Sequence, residues 1–186
     1  MASKATTDQI RAGEGTSIDG FRADAVELSP VAFEERHGSG FLLLSAAGMK
    51  NVASVSSTEL LFLAEEKEDA AERTAGLAVL VFPIRAASAS HTHLITVGRT
   101  SKNDLIFSDI SVSRFHAFLK HGPEGGYQII DAGSSNGTTV NGFSVCTKDA
   151  GPPTSLKSGD NVRFGQIDTT FLEASALRSF ILKFDD

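Results

Sequence analysis

Arg99, Ser113, Arg114, Ser135 and Asn136 are donor-bearing side chains, each set in a short polar stretch between apolar runs. Together they suit a phosphate dianion, which needs charge and N–H or O–H donors held in a fixed array. The guanidinium of Arg99 is planar, permanently charged and able to donate to two oxygens at once. It follows Gly98, whose missing side chain lets the backbone turn and leaves the arginine exposed. Ser113 brings a hydroxyl from the next long loop. Ser135 and Asn136 bring hydroxyl and amide donors, from a turn that also leaves backbone N–H groups free. Taken singly each has a plainer reading: Arg99 as an exposed strand-end cation, Ser113 as a turn cap, Asn136 as a turn former, Arg114 as a solvent-facing cation.

For such loops to converge on one anion, the elements between them must be short and end together. From position 76 onward the sequence has that texture. A β-branched run at 77–84 is followed by apolar stretches at 94–98, 104–107, 115–120, 127–131, 138–140, 161–164 and 169–172. Gly122-Pro-Glu-Gly-Gly126, Asn136-Gly137, Asn141-Gly142 and the stretch 156–160 separate them as turns, since asparagine and glycine tolerate positive φ. Many short strands with frequent turns predict an all-β sandwich. Before it, Ser29-Pro30 opens a helix over 30–36, with Ser29 as cap and Pro30 at the first helical position. Gly38 stops that helix, and a buried strand begins at Phe41. A second apolar run, Glu59 to Ala64, leads into a charged run, Glu65 to Arg73. The expected organisation is a disordered polar tail over 1–20, an N-terminal α/β extension of uncertain fold over 21–75, the sandwich over 76–173 and a short helix over 174–186. Leu177, Phe180, Ile181 and Phe184 give that last helix one apolar face.

Composition narrows the function. With 186 residues and 41% hydrophobic content the chain can build a real core. A net charge of −6 lacks the basic footprint that nucleic-acid binding needs. The single cysteine, Cys146, rules out an internal disulfide and fits a reducing compartment. No apolar run reaches the ~18 residues of a membrane helix. The N-terminus has no apolar signal core, so the expected location is the cytoplasm. His91 and His93 could face one side of a strand, but no third ligand is near them, and no metal or cofactor is expected. No Walker loop, nucleophile elbow or zinc-spaced set is present, so no enzyme activity is expected.

The stretch from Leu94 to Gly142 resembles a forkhead-associated (FHA) domain. The resemblance rests on four signatures in order: Gly98-Arg99; Ser113-Arg114-Phe115-His116; Gly133-Ser-Ser-Asn-Gly137; and Asn141-Gly142. It covers roughly residues 76–173, with Asn103-Asp104 and the stretch 156–164 in the expected places. It implies an eleven-stranded sandwich that binds phosphothreonine peptides. It implies that Arg99 and Ser113 contact the phosphate, and that Asn136, with Ser135 and Arg114, holds the phosphate or the peptide backbone. It further implies structural roles for Gly98, His116, Gly137 and Asn141. Ser135 stands where a threonine is frequent in the family and keeps its hydroxyl. Ser111 stands where a ligand residue beyond the phosphothreonine would be selected; being small and uncharged, it predicts no strong acidic preference.

The expected function is therefore a signalling module that recruits proteins phosphorylated by a Ser/Thr kinase, its partners being such a substrate or the kinase itself. The alternative is a phosphate-independent interaction scaffold using the sandwich faces or the extension. Thr6, Thr7 and Thr16 raise a narrower possibility, in which a phosphorylated tail threonine is captured by the chain's own site at high effective concentration.

Overall fold

A computed structural model describes residues 15–45, 79–86, 94–123 and 125–183. Two sheets face each other. The strands are β1 (Thr16–Ser17), β2 (Gly40–Ser45), β3 (Val79–Pro83), β4 (Leu94–Gly98), β5 (Leu105–Ile106), β6 (Ala117–His121), β7 (Tyr127–Asp131), β8 (Thr138–Val140), β9 (Phe143–Ser144), β10 (Thr154–Leu156), β11 (Asn161–Phe164) and β12 (Ile167–Glu173). One sheet has the order β1-β3-β2-β12-β11-β8-β9 and the other β10-β7-β6-β4-β5. Pairing is antiparallel except between β4 and β5, which run parallel. The helices are α1 (Arg22–Glu27), α2 (Pro30–His37) and α3 (Ala174–Lys183), with a 3-10 turn at Ile18–Phe21.

The larger sheet is buried on both faces where β3, β2 and β12 lie, and this explains the unbroken apolar run in β2. Leu42 points into the sandwich core with Val97, Leu119, Ile129, Phe164 and Phe171. Its neighbours Phe41 and Leu43 point the other way, into a second core with Phe33, Val81, Leu177 and Ile181. A strand covered on both faces needs apolar residues at every position, so it shows no alternation. β12 divides in the same way, with Phe171 in the first core and Leu172 in the second. The three helices thus form a third layer over the outer face of β3, β2 and β12.

This layer changes the boundaries expected from the sequence. The sheet does not begin at 76, because β2 lies between β3 and β12. Residues 15–20, read as part of a disordered tail, hold β1 and the start of the 3-10 turn, because Ile18 and Phe21 are buried. The helix at 30 forms as its caps predict: the Ala32 N–H donates to Ser29 Oγ at 3.2 Å. β9, β10 and β1 were not apparent from periodicity, being only two or three residues long. Thr6, Thr7, the run at 59–73, the His91/His93 pair and Phe184 lie outside the described residues.

α1 and α2 are joined by Asp24, whose carboxylate accepts from Arg36 and pairs with His37, both at 2.8 Å. The His37 ring lies against Phe21 and Phe33. Phe33 is fully buried at the centre of the layer. Phe33→Ala is expected to cost about 3–5 kcal/mol in denaturant unfolding, while the amide resonances of 98–116 stay in place. A loss under about 1 kcal/mol would mean that the helical layer is not an integral part of the fold.

Candidate functional site

Three loops meet at one end of the sandwich: β4–β5, β5–β6 and β7–β8. They carry Arg99, then Ser113 and Arg114, then Ser135 and Asn136. The loops are tied through a short chain of bonds. The Arg99 N–H donates to the Ser113 carbonyl at 3.1 Å. The Ser135 N–H donates to Ser113 Oγ at 3.0 Å, and Ser113 Oγ donates to Ser135 Oγ at 3.4 Å. That last contact is long for O–H···O, so a stronger acceptor can take over the Ser113 proton. Asn136 Nδ2 donates to the Ser111 carbonyl at 2.8 Å. This spends one amide proton and leaves a second, with the amide oxygen, for a ligand.

Gly98 is required by space. A Cβ there would stand 2.4 Å from the Arg114 carbonyl and 2.7 Å from Asn103 Nδ2. The two loops can touch only because nothing projects between them. Asn103 fills the gap: its Nδ2 donates to the Thr100 and Arg114 carbonyls at 2.9 and 2.8 Å. Arg99 and Arg114 are exposed, and among the described residues neither guanidinium is in a salt bridge with a carboxylate. Among the described residues, the two cations at this end therefore have no carboxylate partner.

His116 is fully buried and holds the loops from below. The Ser113 N–H donates to Nδ1 at 2.9 Å, so Nδ1 carries no proton. Nε2–H then donates to the Gly137 carbonyl at 3.1 Å. Both ring nitrogens are used, and neither faces the Ser113 hydroxyl as a base would. Burial pushes the His116 pKa below the usual histidine range, against the opposing effects of the Gly137 bond and the Asp131 charge.

Asp131 does similar work for the third loop, and the sequence reading did not single it out. It is 3% exposed. It accepts from the N–H groups of Gly133 and Ser134 and from the hydroxyls of Ser134 and Thr138, at 2.6–2.8 Å. Burial alone would raise its pKa, but these bonds outweigh burial and hold it below the usual carboxylate value. The available signal was an aspartate two residues before Gly133, the spacing of an Asx turn. A fourth loop was also missed. Gly165, in the β11–β12 turn, has φ +62° and approaches Ser111 so closely that a Cβ would lie 2.4 Å from its carbonyl. Its neighbour Gln166 donates from N–H to Ser111 Oγ at 2.9 Å.

The other expected positions divide. Arg99, Ser113, Arg114, Ser135 and Asn136 are brought to one end, with Gly98, His116 and Gly137 beneath them. Asn141 is elsewhere, at the far end of β8, where it turns the chain with φ 52° and bonds Asp160 and Asn161. Ser111 is 7% exposed, and its hydroxyl is shared between Asp109 and Gln166. It faces inward and has no side chain to offer a ligand. Among the described residues no group of His, Cys, Asp and Glu could hold a metal ion, and no helix is long and apolar enough to cross a membrane.

Residues 95–165 match the family model of the FHA domain. The oxoglutarate dehydrogenase inhibitor of Corynebacterium diphtheriae is 35% identical over 78 residues, which are 42% of this chain and 50% of the relative. The glycogen accumulation regulator GarA of Mycolicibacterium smegmatis is 37% identical over 78 residues, 41% of this chain and 44% of the relative. The chain thus spans about half the length of these relatives. Among solved structures, Mycobacterium tuberculosis EmbR in complex with a low affinity phosphopeptide matches with a TM-score of 0.38. It is 28% identical, over 45% of this chain and 20% of that one.

His116 sets a pH dependence whose sign follows from its lowered pKa. Its contribution to stability is complete above the ordinary value of 6.5. It is lost as pH falls from there through the depressed folded value, because the unfolded chain binds the proton first. Denaturant midpoints should therefore decline below pH 6.5 in the wild type, and His116→Gln should flatten the slope in that window. An unchanged slope in the variant would show that His116 is not held neutral.

Proposed function

Residues 95–165 of this chain are an FHA domain, and on that premise we propose that the chain reads phosphothreonine on proteins modified by a Ser/Thr kinase, binding them without catalysis. The observation that carries this is the Ser113 hydroxyl. It sits where two loops meet, receives the Ser135 N–H, and keeps its own proton on a weak 3.4 Å contact. A phosphate oxygen is a better acceptor than Ser135 Oγ, and the exposed Arg99 supplies the charge. Asn136 offers its remaining amide groups to the peptide backbone. Ser135 and Arg114 assist from either side.

The same geometry argues against chemistry at the site. Ser113 has no base, because the buried His116 spends both nitrogens on backbone groups. A bound phosphopeptide would be held and released unchanged. Partners are then kinase substrates or the kinase itself. Cys146, exposed and free, suits the reducing cytoplasm where such kinases work.

Each charge-assisted hydrogen bond is worth about 1.5–3 kcal/mol, or roughly ten- to 150-fold in affinity. Calorimetric titration of a phosphothreonine peptide library should show at least a tenfold loss for Arg99→Ala, with the fold unchanged, and no binding of the unphosphorylated library. Salt should weaken the wild type, since the charges are exposed. Equal binding by the variant, or by unphosphorylated peptides, would favour a phosphate-independent scaffold instead.

A further inference from the structure

One flank of the sandwich is left open. β9 is the last strand of the larger sheet and β10 the last of the smaller, so each has an edge with no strand beside it among the described residues. Between them lies a groove of about 290 Å³, lined by Val140, Phe143, Ser144, Thr154, Ser155 and Lys157, along with Asn141 and Asp160. Phe143 stands directly opposite Val140 in the β8–β9 pair, and residues opposite each other share a face of the sheet. Val140 is buried in the sandwich core. Phe143, on the same face, is 80% exposed. A lone surface aromatic is ordinary; this one occupies a core-type position that is left uncovered.

The mount of Phe143 is fixed. Asn141 and Gly142, with φ 52° and 82°, form the tight turn before it. The Asn141 N–H donates to the Asn161 carbonyl, Asn141 Oδ1 accepts from the Asn161 N–H, and Asn141 Nδ2 donates to Asp160 Oδ1, all at 2.8–2.9 Å. An aromatic side chain held in this way offers a large contact area at low ordering cost. The charge in the groove is one-sided. Asp160 Oδ1 is taken by Asn141, and Oδ2 accepts from the Lys157 N–H at 2.7 Å. Lys157 is exposed, and among the described residues its ammonium is in no salt bridge. A ligand therefore meets an aromatic ring, a cation and the backbone groups along two strand edges. Strand edges pair with extended chain, the ring packs against an apolar side chain, and the cation takes a carboxylate.

We infer that this groove is a second interaction surface, which takes an extended, unphosphorylated segment of another protein carrying a large apolar side chain beside a carboxylate. The inference does not rest on the phosphothreonine reading. The groove lies at the far end of β8, and the length of that strand, roughly 10 Å, separates it from Gly137 and the loops that carry Arg99 and Ser113. Both places can be occupied at once, and the chain then joins two proteins.

The test uses the full chain and fluorescein-labelled, unphosphorylated peptides in a Gly-Ser background. Each carries a leucine or phenylalanine and a glutamate at varied spacing; controls replace the glutamate by lysine or the apolar residue by serine. Affinity is read by fluorescence anisotropy, and the place of binding by amide NMR shifts. Glutamate-bearing peptides should bind with a Kd below about 1 mM and shift the amides of 140–144 and 154–157. Phe143→Ala should weaken them roughly tenfold, and Lys157→Glu should move the preference to the lysine controls. Both side chains are exposed, so both variants are expected to fold. The inference is overturned if no peptide binds below about 1 mM, if the lysine and serine controls bind as well as the glutamate peptides, if binding survives Phe143→Ala, or if the shifts centre on 98–116. Self-association of the chain that Phe143→Ala abolishes would assign the groove to a second copy and overturn the partner proposed. None of these outcomes touches the phosphothreonine titration, which stands or fails separately.

Discussion

The end of the sandwich that carries Arg99, Ser113 and Asn136 depends on one buried imidazole remaining neutral. His116 can accept the Ser113 N–H at Nδ1 and donate from Nε2 to the Gly137 carbonyl only as the Nε2–H tautomer. Protonation would place a proton against the Ser113 N–H and a charge among buried apolar groups, with the Phe164 ring edge-on to it. Burial keeps the ring neutral, and the neutral ring joins the β5–β6 and β7–β8 loops. The same bonds remove His116 as a base for the neighbouring serine. Structural bracing and the proposed absence of catalysis thus have one cause.

Around that joint, bracing and the proposed binding are divided among different residues. Buried groups fix the backbone: Asn103 across the gap at Gly98, Asp131 within the third loop, Ser111 against Asn136 and the β11–β12 turn. Exposed groups are left to meet a ligand. The helical layer adds to this indirectly. By covering the outer face of β3, β2 and β12 it lets β2, and β12 at Phe171 and Leu172, be apolar on both faces, which gives these strands a second core to rest on.

How much was legible in the sequence follows from this division. The loop residues were readable because their chemistry is specialised: an arginine after glycine, a serine three before a histidine, an asparagine in a turn. Strands with strong turns at their ends, such as β4, β7 and β8, were readable from spacing. The helical layer was only half readable. Ser29, Pro30 and Gly38 marked α2, but nothing in the run Phe41 to Leu44 reveals that alternate residues serve two cores. Asp131 was hidden because one aspartate near a turn is ordinary; its weight comes from four donors that converge only in the fold. Ser111 misled for the converse reason. Its position in the loop suggested a surface role, and its hydrogen bonds turn it inward.

The most direct test is an amide NMR titration of the isotopically labelled chain with one peptide in two forms, phosphothreonine and plain threonine. The phosphorylated form should shift the amides of Arg99, Ser113 and Ser135 most, with the helical layer silent, and the plain form should shift none of them. Equal shifts from both forms, or shifts centred on α1, α2 and α3, would contradict the phosphothreonine reading.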